Sequence, residues 1–255
     1  MNEVRAKKFL GQHFLTDEKI AQRIVDSLSP DANHVLEIGP GMGVLTKYLI
    51  TRANTDFHVV EIDRESVAWL HEKYPGLDVI EGDFLKYDTS ALFHDSYAII
   101  GNFPYNISSQ ILFRVFEQRD RVHEVVGMFQ KEVAERVTAA PGSKTYGILS
   151  VLLSAFYKME YLFTVHENVF NPPPKVKSAV IRLIRNEVEK LPCDEQLFAQ
   201  TVKAGFNQRR KTLRNALRSI GAPIDALPAD LLSKRAEQLS VDDFIILTKH
   251  IESCQ

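Results

Sequence analysis

The sequence predicts a larger α/β domain built on a doubly wound, mainly parallel sheet, followed by a small all-helical domain. Short apolar runs of strand length alternate with stretches of helical periodicity between residues 34 and 129. Strand signals end near residue 188, and only helical patterns follow. The 255 residues are enough for both parts. We therefore place the domains at residues 1–188 and 189–255.

The first predicted elements are a helix, a strand, a glycine turn and a second helix. Apolar residues recur at helical spacing over residues 17–28. A short apolar run at 34–38 is typical of a buried strand, and it leads directly into the glycine-rich turn at 39–43. A helical pattern through Leu45 and Leu49 follows. This order is the first half of a βαβ unit.

The remaining elements continue the alternation. The sequence predicts further strands at 57–61, 77–80, 97–100 and 122–129, with helices at 64–73 and 107–116. Segments 157–165 and 176–184 are predicted as an antiparallel pair that completes the sheet. The smaller domain has helical patterns at 197–206, 209–220 and 241–251. In such a sheet, ligands bind at the carboxyl ends of the strands.

Composition excludes several classes of protein. Cys193 and Cys254 lie far apart without a Cys/His cluster, and the eight histidines are scattered, so we predict neither a disulfide nor a metal site. The longest apolar stretch, 146–157, is too short to span a membrane. Residues 1–5 contain no apolar run typical of a secretory signal. We expect a cytoplasmic protein and, without heptads or an exposed sheet edge, a monomer.

Two stretches of the chain are basic. The net charge is only −2, so any nucleic-acid surface must be local. The sequence offers Arg5, Lys7 and Lys8 near the start, and an acid-free run at 203–218 that includes Arg209, Arg210, Lys211 and Arg214. We predict that these cations contact RNA phosphates. Solvated helix faces are the simpler alternative.

The turn after the first strand has the pattern Gly39-x-Gly41-x-Gly43, preceded by Glu37. Glycines at a strand-to-helix turn let the backbone approach a bound nucleoside without Cβ clashes. A nicotinamide-binding turn has the spacing Gly-x-Gly-x-x-Gly, which seats a pyrophosphate. The observed spacing favours a cofactor that lacks one, and it indicates S-adenosylmethionine.

Acidic residues follow the next two strands. Glu61 is placed to accept hydrogen bonds from both ribose hydroxyls of a nucleoside, and Asp83 is placed to accept one from its adenine amino group. Each position alone is a weak indication, and a solvated acid at the end of a strand is the alternative for Glu61. Together with the glycine turn, they predict one cofactor site along one edge of the sheet.

Asn102-Phe103-Pro104-Tyr105 follows the fourth strand and is the most specific chemical signal. Because Pro104 has no N–H, the local backbone offers carbonyl oxygens. The Asn102 side-chain oxygen and the Pro104 carbonyl could hold the two N–H bonds of an exocyclic amino group and stabilise the positive charge that it gains on methylation. We predict an acceptor notch that methylates adenine N6 without a general base or a metal.

Two aromatic residues are predicted to hold the target base. Tyr105 offers a ring beside the notch, and Phe170, ahead of three prolines, is the candidate for the opposite face. Base-on-aromatic stacking is worth roughly 1–3 kcal/mol. The alternative for Phe170 is a core aromatic, and the prolines then form only a stiff turn.

Six blocks of the sequence, in order, resemble the signatures of the ribosomal RNA adenine dimethyltransferase family. They are residues 8–15 (KFLGQHFL), 37–41 (EIGPG), 102–105 (NFPY), 130–133 (QKEV), 170–176 (FNPPPKV) and 206–212 (FNQRRKT). The resemblance implies a Rossmann-like catalytic domain with a helical domain after it. It also implies dimethylation of two adjacent adenosines near the 3′ end of small-subunit (16S) ribosomal RNA, within the immature small subunit, with S-adenosylhomocysteine as the cofactor product.

The resemblance also implies site residues. The family's cofactor contacts fall on His13, Leu15, Gly39, Gly41, Glu61, Asp83 and Asn102, and its target-base contacts on Asn102, Pro104, Tyr105 and Phe170. Two positions depart from the commonest pattern: His13 stands where many members have Asn, and Phe103 where many have Leu. We expect His13 to keep a cofactor contact and Phe103 to change only packing.

Other functions fit part of the pattern. A ribosome-assembly factor of the same fold without catalysis is one alternative, but the complete notch with Glu61 and Asp83 argues against it. Methylation of large-subunit RNA, DNA adenine or a protein glutamine is another, because the notch suits any planar amino group. The segment 207–212 favours small-subunit RNA. The glycine spacing argues against a nicotinamide oxidoreductase.

Overall fold

The computed structural model describes residues 4–254, so the first three residues and Gln255 lie outside it. The chain forms two compact units. The first consists of residues up to 134 together with 160–185, and the second of residues 135–159 together with those from 186 onward. The break at 185 lies close to the predicted boundary at 188. Residues 135–159 differ from the prediction, because they join the C-terminal helices.

The structure contains nine strands, β1 to β9, among the described residues. They are β1 (Phe14–Leu15), β2 (His34–Ile38), β3 (Asp56–Glu61), β4 (Asp78–Glu81), β5 (Tyr97–Asn102), β6 (Val122–Gln130), β7 (Tyr157–Val165), β8 (Phe170–Asn171) and β9 (Ser178–Arg185). The α-helices are α1 (Glu18–Val25), α2 (Thr46–Leu49), α3 (Arg64–Lys73), α4 (Ser108–Glu117), α5 (Lys131–Val137), α6 (Ile148–Ser154), α7 (Glu195–Asn207), α8 (Leu213–Ala216), α9 (Ala229–Leu232) and α10 (Val241–Glu252).

Seven strands form the main sheet, in the order β4-β3-β2-β5-β6-β9-β7. The pairs from β4 to β6 are parallel, and β9 runs antiparallel to β6. The chain moves outward from β2 through β3 to β4 and then returns to place β5 on the other side of β2. The carboxyl ends of β2 and β5 therefore flank the point where strand order reverses, which is where such sheets bind ligands. The predicted doubly wound sheet is confirmed.

The residues before α1 form a strap, residues 4–16, held to the first unit at several points. Its strand β1 pairs antiparallel with β8, so that Leu15 lies opposite Phe170. The Thr16 N–H donates to the Val169 carbonyl at 2.8 Å. The Lys7 ammonium contacts Asp63, at the N-terminus of α3. These bonds position the strap along the carboxyl edge of the sheet.

The second unit is helical. Buried α6 contacts α7 and α10, and this packing explains why residues 135–159 belong here. Ser240 caps α10 in a capping box with Asp243, as the sequence indicates for the predicted helix at 241–251. No helix within residues 4–254 is long and apolar enough to cross a membrane.

The predicted helix at 209–220 is wrong at its start. Residues 208–211 form a turn after α7, and α8 begins only at Leu213, with Thr212 as its extended N-cap. The basic residues 209–211 are exposed, whereas the apolar positions that pack begin at Leu213. The Leu213 N–H donates to the Lys234 carbonyl at 2.9 Å. Helix formation therefore follows the buried positions and not the charge run.

Candidate active site

A cavity of about 500 Å³ lies at the carboxyl ends of β2, β3, β4 and β5 in the first unit. We call it the main cavity, and its volume is in the range typical of small-molecule sites. It gathers eight of the predicted site residues: His13, Gly39, Gly41, Glu61, Asp83, Asn102, Pro104 and Tyr105. Side chains from four separate strand ends and the strap therefore converge, as the sequence predicts from the fold.

The glycine turn has a structural reason that the sequence did not show. Gly41 has a φ of +55°, and a Cβ there would lie 2.8 Å from the Phe14 ring. Gly39 also has a positive φ, of +65°. These conformations strain residues with a side chain. Gly41 thus lets the strap pack directly on the turn, with Phe14 in the wall of the main cavity.

The Glu61 carboxylate is fixed at the end of β3. It accepts hydrogen bonds from the Gly41 N–H at 3.0 Å and from the Asp63 N–H at 2.9 Å. The residue is only 3% exposed, and this burial raises the pKa of its carboxyl group above the ordinary value. A carboxylate has about four acceptor positions, so capacity remains for hydroxyl groups in the main cavity. This geometry suits the predicted ribose contact.

Asp83 lies in a loop that a neighbouring helix holds in place. Its Oδ1 accepts from the Leu85 N–H at 3.0 Å, and its Oδ2 lies 3.7 Å from the Lys86 ammonium. Arg114, on α4, donates to the Leu85 carbonyl at 2.5 Å and also to the Tyr87 carbonyl. The guanidinium therefore positions the loop that carries Asp83, a role that the sequence did not reveal.

The orientation of the Asn102 amide follows from a contact with the strap. Its Nδ2 donates to the His13 carbonyl at 2.9 Å. A carbonyl oxygen only accepts, so the nitrogen must face the strap and Oδ1 is left as an acceptor. The Pro104 carbonyl accepts from the Ile107 N–H at 3.2 Å and retains a second lone pair. Both acceptors of the predicted notch are therefore present at the end of β5.

His13 and Tyr105 form a wall between two cavities. Their rings lie 5.3 Å apart at an angle of 32°, and the Tyr105 hydroxyl bonds to the Ser178 hydroxyl. Burial raises the pKa of that phenol. The His13 Nδ1 lies 2.8 Å from the Pro172 carbonyl, which can only accept, so Nδ1 donates this hydrogen bond. Both rings are thus held in place.

The adjoining cavity, of about 420 Å³, lies on the other side of this wall. It shares Gly11, Gln12, His13 and Tyr105 with the main cavity. Its own lining comes from the strap, the end of β6 and the proline segment: Ala6, Lys8, Gln130 and residues 172–176. Ligands in the two cavities would therefore lie against the same two rings, His13 and Tyr105.

Phe103 acts through packing, as expected. It is fully buried and contacts the Phe129 ring edge-on at a centroid distance of 5.0 Å. A Cβ at Gly101 would lie 2.7 Å from the Phe103 ring, and one at Gly127 would lie closer still. These two glycines leave the space that the larger ring fills. The departure from leucine therefore affects the packing beneath the notch and leaves its acceptors unchanged.

Two predicted site residues, Leu15 and Phe170, do not line the main cavity. Phe170 is 4% exposed and belongs to the hydrophobic core, as does Leu15, which it opposes in the β1–β8 pair. Neither residue lines the main cavity or the adjoining cavity. Leu15 instead borders a cleft of about 30 Å³ with Glu37 and Gly39. The core alternative for Phe170 is the observed one, because pairing with the strap turns this ring inward.

Replacing Phe170 by alanine is therefore expected to lower the free energy of unfolding by about 3–5 kcal/mol, the typical result of emptying a buried phenylalanine site. Urea denaturation measures this. Phe170→Leu retains apolar volume and should lose less than about 1.5 kcal/mol. A Phe170→Ala protein with wild-type stability and greatly reduced methyl transfer would contradict the core assignment.

The predicted basic residues have different surroundings. Lys7 contacts Asp63 and also lies 3.1 Å from the Glu65 carboxylate, so its charge is neutralised within the fold. In the structure this charge fastens the strap to α3, and the contact of Lys7 with RNA stays a prediction. Arg5 and Lys8 are exposed. In the second unit, Arg209, Arg210, Lys211 and Arg214 are exposed as well, and Arg209 donates to the Lys144 carbonyl.

Several residues of the site were not identified from the sequence. Gln12 lines both cavities and donates to the Asp63 carboxylate at 3.2 Å. Ile62, 50% exposed, adds an apolar surface to the main cavity beside Glu61. Gln130 faces the adjoining cavity. Gln12 and Gln130 stand in blocks that carry the family resemblance, and that was the available signal. Within residues 4–254, no group of three or more His, Cys, Asp or Glu could hold a metal ion.

The sequence matches a known protein family and several of its members. A family model described as "Ribosomal RNA adenine dimethylase" matches residues 3–252. The chain is 60% identical over 252 residues to "Ribosomal RNA small subunit methyltransferase A" of Cytophaga hutchinsonii, covering 97% of this chain and 98% of that protein. It is 57% identical to the protein of the same name from Bacteroides thetaiotaomicron, covering 99% and 96%.

Two solved structures of methyltransferases also superpose on this chain. A dimethyladenosine transferase from Plasmodium falciparum superposes with a TM-score of 0.80 at 28% identity, covering 94% of this chain and 98% of that one. The 23S rRNA methyltransferase ErmE superposes with a TM-score of 0.70 at 25% identity, covering 94% and 99%. The resemblance therefore extends through both the sheet and the helical C-terminal part.

Proposed function

The chain belongs to the ribosomal RNA adenine dimethylase family, and on this basis we propose that it dimethylates the N6 atoms of two adjacent adenosines near the 3′ end of 16S ribosomal RNA. S-adenosylmethionine supplies the methyl groups and leaves as S-adenosylhomocysteine. Relatives at 55–60% identity carry the name of a small-subunit methyltransferase, and this supports the small subunit over the large one. The observation that carries the chemistry is the pair of acceptors, Asn102 Oδ1 and the Pro104 carbonyl.

The residues of the main cavity fit this cofactor. The buried Glu61 carboxylate suits the ribose hydroxyls, Asp83 suits the adenine amino group, and Ile62 offers an apolar surface for the adenine ring. Gly39 and Gly41 let the turn approach the cofactor without Cβ clashes. His13 lines the side that faces the adjoining cavity, and Asn102 also lines the main cavity. When bound, the cofactor supplies an electrophilic methyl group on a positively charged sulfur.

The notch compensates for the weakness of the nucleophile. The lone pair of adenine N6 is spread into the ring, and the nitrogen becomes positively charged as it forms the new N–C bond. Asn102 Oδ1 and the Pro104 carbonyl accept its two N–H bonds and stabilise that charge. Tyr105, held by Ser178, offers a ring face for the base. The displaced N6 proton leaves to water after transfer. N6-methyladenosine retains one N–H, so only one of the two acceptors binds an N–H in the second methylation, which consumes a second S-adenosylmethionine molecule.

Transfer of labelled methyl groups to unmodified small ribosomal subunits tests the proposal. Nuclease digestion and mass spectrometry should find dimethyladenosine at two adjacent positions. Large subunits and already methylated small subunits are the controls, and neither should be labelled. A protein that binds cofactor and small subunit but transfers no methyl group would favour the assembly-factor alternative. Labelling of large subunits would favour an activity like the one named for ErmE.

We further propose that the protein acts as a cytoplasmic monomer on the immature small subunit. RNA contacts come from the exposed cations Arg5 and Lys8 in the first unit and from Arg209, Arg210, Lys211 and Arg214 in the second. Each such cation releases a counterion when it neutralises a phosphate. The affinity for RNA therefore depends on salt in proportion to the number of phosphates that are neutralised.

Replacing Arg209, Arg210 and Lys211 together by glutamine is expected to flatten the salt dependence of RNA binding. The slope of log K against log salt concentration should fall by about one for each cation that no longer neutralises a phosphate. Binding isotherms with small-subunit RNA at several salt concentrations give this slope.

The matched control replaces three lysines elsewhere in the second unit, Lys190, Lys234 and Lys249, by glutamine. This variant has the same change in net charge and should keep the wild-type slope. If both variants lower the slope equally, net charge accounts for the effect and the turn at 208–211 has no special role.

A further inference from the structure

Phe9 is an aromatic residue that the proposed reaction does not use. It is 77% exposed, and the next most exposed large apolar side chain among the described residues, Ile62, is at 50%. Ile62 lines the main cavity, whereas Phe9 points to solvent. An isolated exposed apolar residue is common on a protein surface, but a flat ring beside a substrate cavity has a specific use.

The backbone that carries Phe9 is fixed. Phe9 lies in a 3₁₀ turn, Lys8–Leu10, which ends at Gly11 with a φ of +66°. A Cβ at Gly11 would lie 2.8 Å from Asn106 Oδ1, so the turn packs directly on the loop after the notch. The Asn106 Nδ2 donates to the Phe9 carbonyl at 3.3 Å. The ion pairs of Lys7 described above fasten the chain just before this turn. The backbone of Phe9 is therefore held in one place, with the ring exposed to solvent.

The neighbours of Phe9 line both cavities. Leu10 and Gly11 line the main cavity, and Lys8 and Gly11 line the adjoining cavity. Lys175 also lines the adjoining cavity and is exposed. An aromatic face with lysines nearby is the chemistry that binds single-stranded nucleic acid: bases stack on the ring and phosphates lie beside the cations.

We propose that Phe9 is a stacking platform for an RNA nucleotide that neighbours the target adenosine. The proposal rests on the proposed function, because it assigns the flanking nucleotide of the same substrate. The target adenosine enters through the adjoining cavity past Tyr105, so that its N6 reaches Asn102 and Pro104 in the main cavity, and the next base along the chain stacks on Phe9 outside. Lys8 and Lys175 contact the phosphates between them. Phe9 is thus a substrate-positioning residue at the rim.

Binding of a short single-stranded oligoribonucleotide with two adjacent adenines tests this platform. Phe9→Ala is expected to weaken binding about five- to hundred-fold, the loss typical of one stacked base. Phe9→Leu should lose nearly as much, because leucine is apolar but has no ring face, and Phe9→Trp should retain wild-type affinity. With unmodified small subunits, Phe9→Ala should raise KM and leave kcat near wild type.

Ile246→Ala is the matched control, since Ile246 is an exposed apolar residue of α10 in the second unit and should bind RNA like wild type. Thermal stability and S-adenosylhomocysteine affinity should be unchanged in all four variants. Wild-type oligonucleotide affinity in Phe9→Ala, or in Phe9→Leu, would overturn the platform. Loss confined to intact subunits would point to a ribosomal protein and also overturn it. Failure of the proposed function is distinct, because the wild-type protein then forms no dimethyladenosine.

Discussion

Replacing Asn102 by alanine is expected to lower kcat for methyl transfer by about 10- to 150-fold while the affinity for S-adenosylhomocysteine changes little. The variant removes one of two hydrogen bonds to a nitrogen that becomes charged in the transition state. Such a bond is worth roughly 1.5–3 kcal/mol, and each 1.36 kcal/mol changes the rate about tenfold. Single-turnover kinetics with small subunits and calorimetry with the cofactor product separate the two quantities.

The variant also removes the bond from Asn102 Nδ2 to the His13 carbonyl, so the strap needs its own control. Asn106→Ala removes a comparable bond, from the same loop to the Phe9 carbonyl at 3.3 Å, and leaves the notch acceptors in place. It should keep kcat near wild type. Equal losses of kcat and of cofactor affinity in Asn102→Ala, or a similar loss of kcat in Asn106→Ala, would refute the notch mechanism.

The parts of the site predicted from the sequence are those fixed by strand ends. Glu61 and Asn102 end apolar strand runs, so the parallel sheet brings them to one edge whatever the rest of the chain does. The glycine turn is likewise local to the end of β2. The position of such a residue is determined by the few residues on either side of it in the sequence. Glu61, Asn102, Gly39 and Gly41 all line the main cavity.

The surroundings of Lys7 and Phe170 depend on distant partners. Lys7 stands in a basic run that favours RNA binding, and only the fold shows that its partner Asp63 lies 56 residues away. The position of Phe170 depends on the strap, whose Thr16 bonds to Val169 across 153 residues. A local pattern of Phe before prolines fits a stacking ring and a core ring equally well. Long-range pairing decides between them, and the sequence of one chain does not contain it.

The strap also explains how the two cavities come to share a wall. Phe14 packs on Gly41, the His13 carbonyl orients the Asn102 amide, and the His13 ring lies against Tyr105. One extended segment thus contacts the cofactor turn, the notch and the stacking ring. Its placement couples the orientation of the acceptor to the closure of the cavity, which is why a substitution that displaces His13 or Phe14 is expected to affect both.

Replacing Glu37 by glutamine is expected to change how the free energy of unfolding depends on pH. Glu37 is fully buried near the end of β2, and burial raises the pKa of its carboxyl group from the ordinary 4.5 to about 8, against the hydrogen bond from the Thr46 hydroxyl at 2.6 Å, which lowers it. The nearby Glu61 charge raises it further. The folded protein therefore keeps this proton at neutral pH.

The sign follows from proton counting. Between about pH 4.5 and pH 8 the folded chain holds a proton at Glu37 that the unfolded chain releases. The unfolded state thus binds fewer protons, so this group makes stability fall as pH rises through that window. The slope is at most about 1.4 kcal/mol per pH unit, which amounts to about 5 kcal/mol across the window. Above pH 8 the folded protein also ionises, and the contribution becomes constant.

Glu37→Gln keeps the size of the side chain and an oxygen that can accept from Thr46, but it cannot ionise. Its stability relative to wild type should therefore rise steadily from about pH 5 to about pH 8, by up to several kcal/mol at the upper end. Urea denaturation of the cofactor-free protein at several pH values across this window measures the difference. Thr46→Val is the control: it loses the hydrogen bond but keeps the carboxyl group, so its pH dependence should stay close to that of wild type. If Glu37→Gln and wild type gave parallel curves, Glu37 would ionise alike in the folded and unfolded protein, and the raised pKa of its carboxyl group would be refuted.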